Sequence, residues 1–188
     1  MRLAVLASGT GSILGAIVDA GLEVALVLVD RPCRAVELAE VHGIDSVVVE
    51  RSGYGASFDR TEYSSAVAAA LVDRSIDVVA MAGFGTVLEQ PFFERFAGRT
   101  LNTHPALLPA FPGWHAVADA LAFGVKVTGC TVHVATLDVD AGPILAQAAV
   151  EILPDDDETS LHERIKAVER TLYPATIRRF VNELEHCP

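Results

Sequence analysis

The sequence predicts an α/β protein with a mostly parallel central sheet and helices on both faces. Three observations carry this reading. Short apolar runs alternate with helical patterns through the first hundred residues. Those runs are apolar at every position rather than at every second one, as strands buried on both faces require. Gly, Pro and Asp stand at the joints between them.

Residues 2–7, RLAVLA, read as the first buried strand, followed by SGTGS and the helix ILGAIVDA. Residues 23–29, EVALVLV, form a second strand, and RAVELAEVHG a second helix that Gly43 is placed to stop. DSVVVE is a third strand, and the polar, Gly-rich RSGYGASFD leads into the helix RTEYSSAVAAALVDRS. IDVVAMAG is a fourth, continuous apolar strand. After Gly98 the alternation weakens: RTLNTH, KVTGCTVHVA and GPILAQAAVEI read as strands, with the short helix ADALAFG before the second of these. The closing stretch, residues 157–184, is one long helix or a pair broken near Pro174, with Asp157 and Thr159 as candidate caps. No repeat or linker divides the 188 residues, so one domain is expected, residues 1–100 forming a phosphate-binding half and 101–188 a catalytic half.

Composition narrows the function classes. A net charge of −11 argues against nucleic acid or an anionic membrane as partner. It also requires any anionic substrate to meet a locally positive site. No apolar run approaches the roughly 20 residues of a membrane span, and the opening apolar run is too short for a signal peptide. Cys33, Cys130 and Cys187 are an odd count without metal-type spacing, which suits a reduced, cytoplasmic setting. Cys33 and Cys130 read as packing residues and Cys187 as part of a frayed terminus. His42, His115, His162 and His186 have no metal-ligand spacing, so no metal is expected.

Three constellations carry chemistry. In Ser8-Gly9-Thr10-Gly11-Ser12, between strand and helix, glycines let the backbone approach a phosphate and the helix N-terminus supplies oriented N–H donors. Leu14 stands where a dinucleotide fingerprint wants its third glycine, so a mononucleotide phosphate fits better. Asp30 reads as a turn residue before Arg31-Pro32 rather than as a ribose-binding acid. The second constellation is Asn102-x-His104, where a strand gives way to the Pro-rich loop LLPAFPGW. Two residues apart, an amide donor and a proton-carrying imidazole share one face of the strand. The third is TLDVDAGPI, where an acid at the turn can face His104, raise its pKa and fix its orientation. Read blandly, Asn102 caps a loop, His104 is half-buried, and Asp138 with Asp140 shapes a solvated turn. His133 alternates into the same strand and reads either as support for this group or, the preferred reading, as a packed core histidine.

Taken together, SGTGS, AGFGTVL, LNTHPALLPAFPGWHA, TGCTVHVATLDVDAGPILAQ and ERTLYP resemble the folate-dependent formyltransferases, in order and over nearly the whole chain. Within that family the SGTGS loop resembles the phosphoribosylglycinamide branch. The absence of room for an extra C-terminal or N-terminal domain sets the chain apart from branches acting on methionyl-tRNA or hydrolysing formyltetrahydrofolate. The resemblance implies a Rossmann-like three-layer formyltransferase fold. The co-substrate it implies is 10-formyltetrahydrofolate, the acceptor phosphoribosylglycinamide, and a homodimer is left open. It matches Asn102, His104 and Asp140 to the catalytic trio, and Gly11, Ser12, Ile13 and Glu169 to ribonucleotide contacts. Arg60, Gly85, Thr86, Val87 and Leu88 match folate contacts, as do Asn102 and the loop Thr136, Leu137, Asp138, Val139 and Asp140. Departures are Ile13 where the family commonly has Asn, Gly85-Thr86 in place of Met-Arg, and Asp30 in place of a small polar pair. A hydrolase of the formyl folate and a silent nucleotide-binding relative are the rival readings. TLDVDAG and RSGYGASF are the loops expected to move.

Overall fold

In the computed structural model, which describes residues 1–53, 55 and 58–186, β1 (Leu3–Ala7) is buried at every residue. A run of Leu, Ala and Val with no polar position can only be accommodated that way. It runs parallel between β2 (Val24–Val29) and β4 (Val78–Met81), and β3 (Ser46–Val48) pairs in parallel with β2 at the sheet edge. On the other side β4 pairs in parallel with β5 (Thr100–His104). There the direction changes. β6 (Val127–Val134) and β7 (Ile144–Glu151) are both antiparallel to their neighbours, completing the order β3-β2-β1-β4-β5-β6-β7. Only residues 135–143 join β6 to β7, too few for the helical crossover that a parallel pair needs.

The helices cover both faces. On one, α1 (Ser12–Asp19), α2 (Arg34–Val41) and α6 (Glu158–His186) share a core in which Leu14, Ile17, Ala39, Tyr173 and Ile177 pack on Val5, Val27, Val78 and Leu101. On the other, α3 (Arg60–Val72) and α4 (Gln90–Phe96) bring Val67, Leu71, Phe92 and Phe96 against Ala4, Leu6, Leu26 and Leu28. A smaller cluster joins α5 (Ala116–Phe123) to α6 through Val117, Cys130, Leu161 and Ile165. Odd and even positions of each parallel strand thus feed opposite layers. No helix among the described residues is long and apolar enough to cross a membrane.

Two expectations are corrected. α4 is absent from the sequence reading because QPFFERF is too short and too uniformly aromatic to show a helical period; Pro91 in its first turn is the remaining signal. The closing stretch is one helix, with Pro174 on its buried face beside Tyr173 and Ile177. Its cap is Asp157, whose carboxylate accepts from the Ser160 N–H at 2.8 Å while the Ser160 Oγ accepts from the Asp157 N–H at 3.0 Å, so of the two candidate caps it is Asp157 and not Thr159. Gly43, at φ 65°, ends α2 as expected. Cys130 is fully buried, and burial pushes its thiol up to about 11, in keeping with a packing role. Cys187 and part of the RSGYGASF loop lie outside the described residues.

The longest reach of α6 into the sheet is the Tyr173 hydroxyl, fully buried, donating to the Leu101 carbonyl at 2.9 Å. That bond fixes the strand residue next to Asn102. Tyr173→Phe is expected to cost about 1–2 kcal/mol, read as a lower urea midpoint with an unchanged slope. An unchanged midpoint would mean that packing alone holds α6 there.

Candidate active site

β1, β4 and β5 run in one direction, so their carboxyl ends open on the same edge, where ligands of open α/β sheets bind. Asn102 and His104 stand at that end of β5. Across the antiparallel ladder Asn102 faces His133 and His104 faces Thr131, and opposed residues share a face. The turn after β6 brings in the fourth group. Asp140 takes a left-handed backbone, φ 56°, and Gly142 behind it is obligatory: a Cβ there would fall 1.8 Å from the Val134 carbonyl.

The Asp140 carboxylate places Oδ2 3.3 Å from His104 Nδ1 and Oδ1 3.6 Å from His133 Nε2, and Oδ2 also accepts from the Gly113 N–H at 2.8 Å. On the opposite side of the His104 ring, Nε2 lies 2.8 Å from the Phe111 carbonyl. Both ring nitrogens therefore face acceptors, and a ring with hydrogen on both fills both contacts. His133 Nδ1 lies 3.1 Å from the Val134 carbonyl. Its Nε2 lies 3.2 Å from the Asn102 Nδ2 and 3.6 Å from the Asp140 Oδ1, so one ring nitrogen reaches both groups. Burial alone would push the Asp140 carboxyl up. Its contacts with His133, the Gly113 N–H and His104 outweigh that, and the pKa lies below the usual carboxylate range.

These groups line a cavity of about 330 Å³, shared with Phe84, Thr86, Val87, Leu88, Trp114, Thr136, Val139 and His162. Burial, with the charge of Lys166, holds the His162 imidazole below its ordinary pKa. Gly85 and Arg60 line an adjoining outer cavity. Leu137 and Asp138 line neither and point to solvent, while the Thr136 Oγ1 donates to the Asp138 carbonyl and shapes the turn.

The ribonucleotide positions lie outside both cavities. Gly11, at φ 73°, is the N-cap of α1, and a Cβ there would meet the Ala35 backbone at 3.1 Å. Ser12 opens the helix, whose first turn holds no acidic residue. The Ile13 side chain is buried in the core, so this position offers the site its backbone N–H alone. Glu169 is buried on α6, close to Thr103.

Two residues are resolved further by the fold. Of the two readings open to His133, burial and support of the Asn102–Asp140 network both hold. Asp30 stands at the bend before Arg31, as expected, and is buried there. It is 0% exposed, paired with Arg31 at 3.0 Å, and accepts from the Thr86 hydroxyl at 3.0 Å. Burial works against its charge, but bonds from Arg31, Ser8 and Thr86 prevail and hold its pKa down. The Phe111 carbonyl, the Gly113 N–H and Trp114 also belong to the site. Phe111, a non-glycine at φ 54°, carries no sequence signal of that backbone.

A family model described as formyl transferase matches residues 1–177. The chain belongs to the formyl transferase family. It is 50% identical to phosphoribosylglycinamide formyltransferase of Mycobacterium tuberculosis over 181 residues, 94% of this chain and 83% of that one. A segment of the human trifunctional purine biosynthetic protein adenosine-3 is 41% identical over 184 residues, 94% of this chain but 18% of that longer protein. Among solved structures, glycinamide ribonucleotide transformylase 1 from Symbiobacterium toebii matches with a TM-score of 0.91 at 41% identity, covering 97% of this chain and 88% of that one. Phosphoribosylglycinamide formyltransferase from Bacillus halodurans matches at 0.89 and 37%, covering 98% and 97%. The formyl transferase fold, with its mixed sheet ending in β6 and β7, is thus shared across these chains.

Because the folded-state pKa of Asp140 is depressed, its ionised contacts stabilise the fold above the ordinary value near 3.8 and are lost as pH falls through the folded value. Asp140→Asn is expected to lower stability by about 1–3 kcal/mol at neutral pH. The difference from native should shrink as pH drops below the ordinary value. Urea midpoints across that range test this, and a difference independent of pH would show that charge is not the cause.

Proposed function

We propose that the protein transfers the formyl group of 10-formyltetrahydrofolate to the amine of 5′-phosphoribosylglycinamide, a step of purine biosynthesis. The observation that carries this reading is the convergence of Asn102, His104 and Asp140 at the cavity floor, in a chain half identical to an enzyme named for that reaction.

Each substrate draws on both halves of the domain. The ribonucleotide phosphate sits at Gly11, Ser12 and the N–H of Ile13, where the α1 N-terminus supplies donors and positive potential. Glu169 contacts the rest of the ribonucleotide. The folate lies along Thr86, Val87, Leu88 and the 136–140 loop, with Arg60 and Gly85 further out. The formyl carbon then lies over Asn102 and His104. The glycinamide nitrogen attacks it, a C–N bond forms, and the carbonyl oxygen gathers charge. The Asn102 amide stabilises that oxygen, and the His104 Nε2–H does so when it leaves the Phe111 carbonyl for it. Collapse of the tetrahedral intermediate breaks the bond to folate N10, and the proton shed by the attacking amine passes to N10. Proton loss and gain balance, so His104 has only to relay one proton, with the Asp140 carboxylate holding its ring. No covalent enzyme intermediate is required.

Product formation from formyl folate with and without the ribonucleotide tests the reading, and strict dependence on the ribonucleotide is the expected result. Formate release without it would make the protein a hydrolase. His104→Asn is expected to lower kcat by about two to four orders of magnitude while keeping the native melting temperature within a few degrees. Near-native turnover would remove His104 from the mechanism.

Burial raises the Glu169 pKa, while the Thr103 hydroxyl and the charges of Lys166 and Arg170 act the other way. For a raised carboxyl the ionised form is the unfavourable one in the fold. That penalty is absent below the ordinary value near 4.5 and grows as pH climbs from there to the folded-state value. Glu169→Gln is therefore expected to melt above native at neutral pH, with no gain near pH 4, and to raise KM for the ribonucleotide about ten-fold. An unchanged ribonucleotide KM would leave Glu169 a purely structural residue.

A further inference from the structure

The cavity that holds Asn102 and His104 wraps over the carboxyl end of β5, and its two sides differ. Side chains alternate across a strand. Leu101 packs in the layer of α1, α2 and α6, so Thr103 faces that layer while Asn102 and His104 face the other way. From the Thr103 side α6 lends the cavity one residue, His162. His162, Lys166 and Glu169 follow at spacings of four and three, so they share one stripe of the helix. Glu169 on that stripe lies close to Thr103, and Gly11 and Ser12 open α1 in the same layer. A ribonucleotide held by these positions reaches the formyl carbon from the α6 side, past Thr103 and His162.

Polar groups on that side lack partners. The Thr103 hydroxyl, buried beside Glu169, closes no hydrogen bond of good geometry. His104 and His133 each have both ring nitrogens engaged. The half-buried imidazole of His162 closes no hydrogen bond among the described residues. Unsatisfied groups on a cavity wall mark where a ligand completes the bonding. Glu158, Glu163 and Lys166 surround the ring on α6, and His104, His133 and Asp140 share its cavity. Burial and then the Lys166 charge outweigh the two glutamates and hold the imidazole below its ordinary value, so at neutral pH it offers a lone pair.

An amine attacks only in its free form, and an α-amino group of ordinary pKa is about nine-tenths ammonium at pH 7. His104, with hydrogen on both nitrogens, has no lone pair to receive that proton. We propose that His162 is a further catalytic residue: its unengaged ring nitrogen takes the proton that the ammonium form of the ribonucleotide's amine loses before attack. The proposal rests on the functional reading above. An N–H bond of the ammonium breaks, an N–H bond forms on the imidazole, and the amine keeps the electron pair with which it attacks. The proton later passed to folate N10 is a different one. The His162 proton returns to water once product leaves, one per turnover. The burial and positive charge that disfavour an imidazolium here disfavour the bound ammonium as well, which keeps donor and acceptor near balance.

His162→Gln removes the proton acceptor and is expected to melt within a few degrees of native. If only the free amine serves this variant, its kcat/KM for the ribonucleotide falls about ten-fold below native at pH 7. At pH 9, where about nine amines in ten are free, it comes within about two-fold. KM for formyl folate stays within about two-fold of native at both. A native value at pH 7 overturns the proposal, and so does a deficit of equal size at both pH values, which a mere contact would give. NMR of the His162 ring, assigned by its loss in His162→Gln, reports without turnover. Phosphoribosylglycinamide is expected to move the ring's titration midpoint, whereas its N-acetyl derivative, which carries no ammonium, leaves it in place. A midpoint that ignores the amine overturns the assignment. Absence of formyl transfer by the native protein overturns the functional reading instead, and the NMR titration still decides whether His162 meets the amine.

Discussion

The Asp140 carboxylate lies where four segments of the chain converge, and each of its contacts orients one of them. Toward β5 it meets His104, toward β6 His133, and toward the Pro-rich loop the Gly113 N–H, while its own backbone closes the β6–β7 turn. A buried carboxylate is costly to desolvate unless every side of it is occupied by a donor or a positive partner. That requirement is what fixes the loops here, since neither has regular secondary structure between residues 105 and 114 or between 135 and 143. The left-handed residue at 140 and the Cβ-free position at 142 follow from the same need.

Under the proposed function the same edge of the sheet takes up anions in a protein with a large negative charge. Two devices supply the opposite sign there. α1, capped by Gly11, has no acidic side chain in its first turn, whereas α2, α3 and α6 each carry a glutamate there. Arg51 and Arg60 stand on the outer wall. Asp30 works in the opposite direction, yet its charge is absorbed by Arg31 and by the Thr86 and Ser8 hydroxyls. Thr86 is the junction: it donates to Asp30 and accepts from Arg51, so the segment after β4 is shaped by an internal ion network and not by its own charge. A guanidinium at residue 86 would compete for that buried carboxylate, which accounts physically for a small hydroxyl residue there.

Much of this was legible in the sequence, and the reasons differ by region. The parallel half was readable because β1, β2 and β4 are apolar without interruption, and glycines mark the exits of β1 and β4 and a proline that of β2. The antiparallel end was less so: VTGCTVHV and ILAQAAVE look like strands, but their direction follows from a short connection, which strand composition does not encode. Asn102, His104 and Asp140 were legible as residue types whose chemistry fits together. His133 was legible only as two alternatives, since a histidine in an alternating strand looks the same whether it packs silently or orients an amide. Asp30 and Ile13 show the converse. Each sits where a ligand contact is expected from position, and the fold turns one side chain into an ion-network anchor and the other into core.

The coupling between the reaction centre and the outer wall follows from chain geometry. Gly113 is the single residue between Pro112 and Trp114, and its N–H is the donor that completes the shell of Asp140. At φ 93° its backbone is one that a side chain would strain. A shift of the Asp140 carboxylate would therefore move the attachment point of the indole, and a ligand pressing on the indole would bear on the carboxylate that holds His104. Phe111 strengthens the link, because its carbonyl meets the opposite nitrogen of the same imidazole while its ring packs edge-on against Phe123 of α5 at 5.9 Å. The Pro-rich loop thus clamps His104 from one side and presents Trp114 from the other. Occupancy of the distal surface and orientation of the proton-carrying ring are in this way set by one short stretch of backbone.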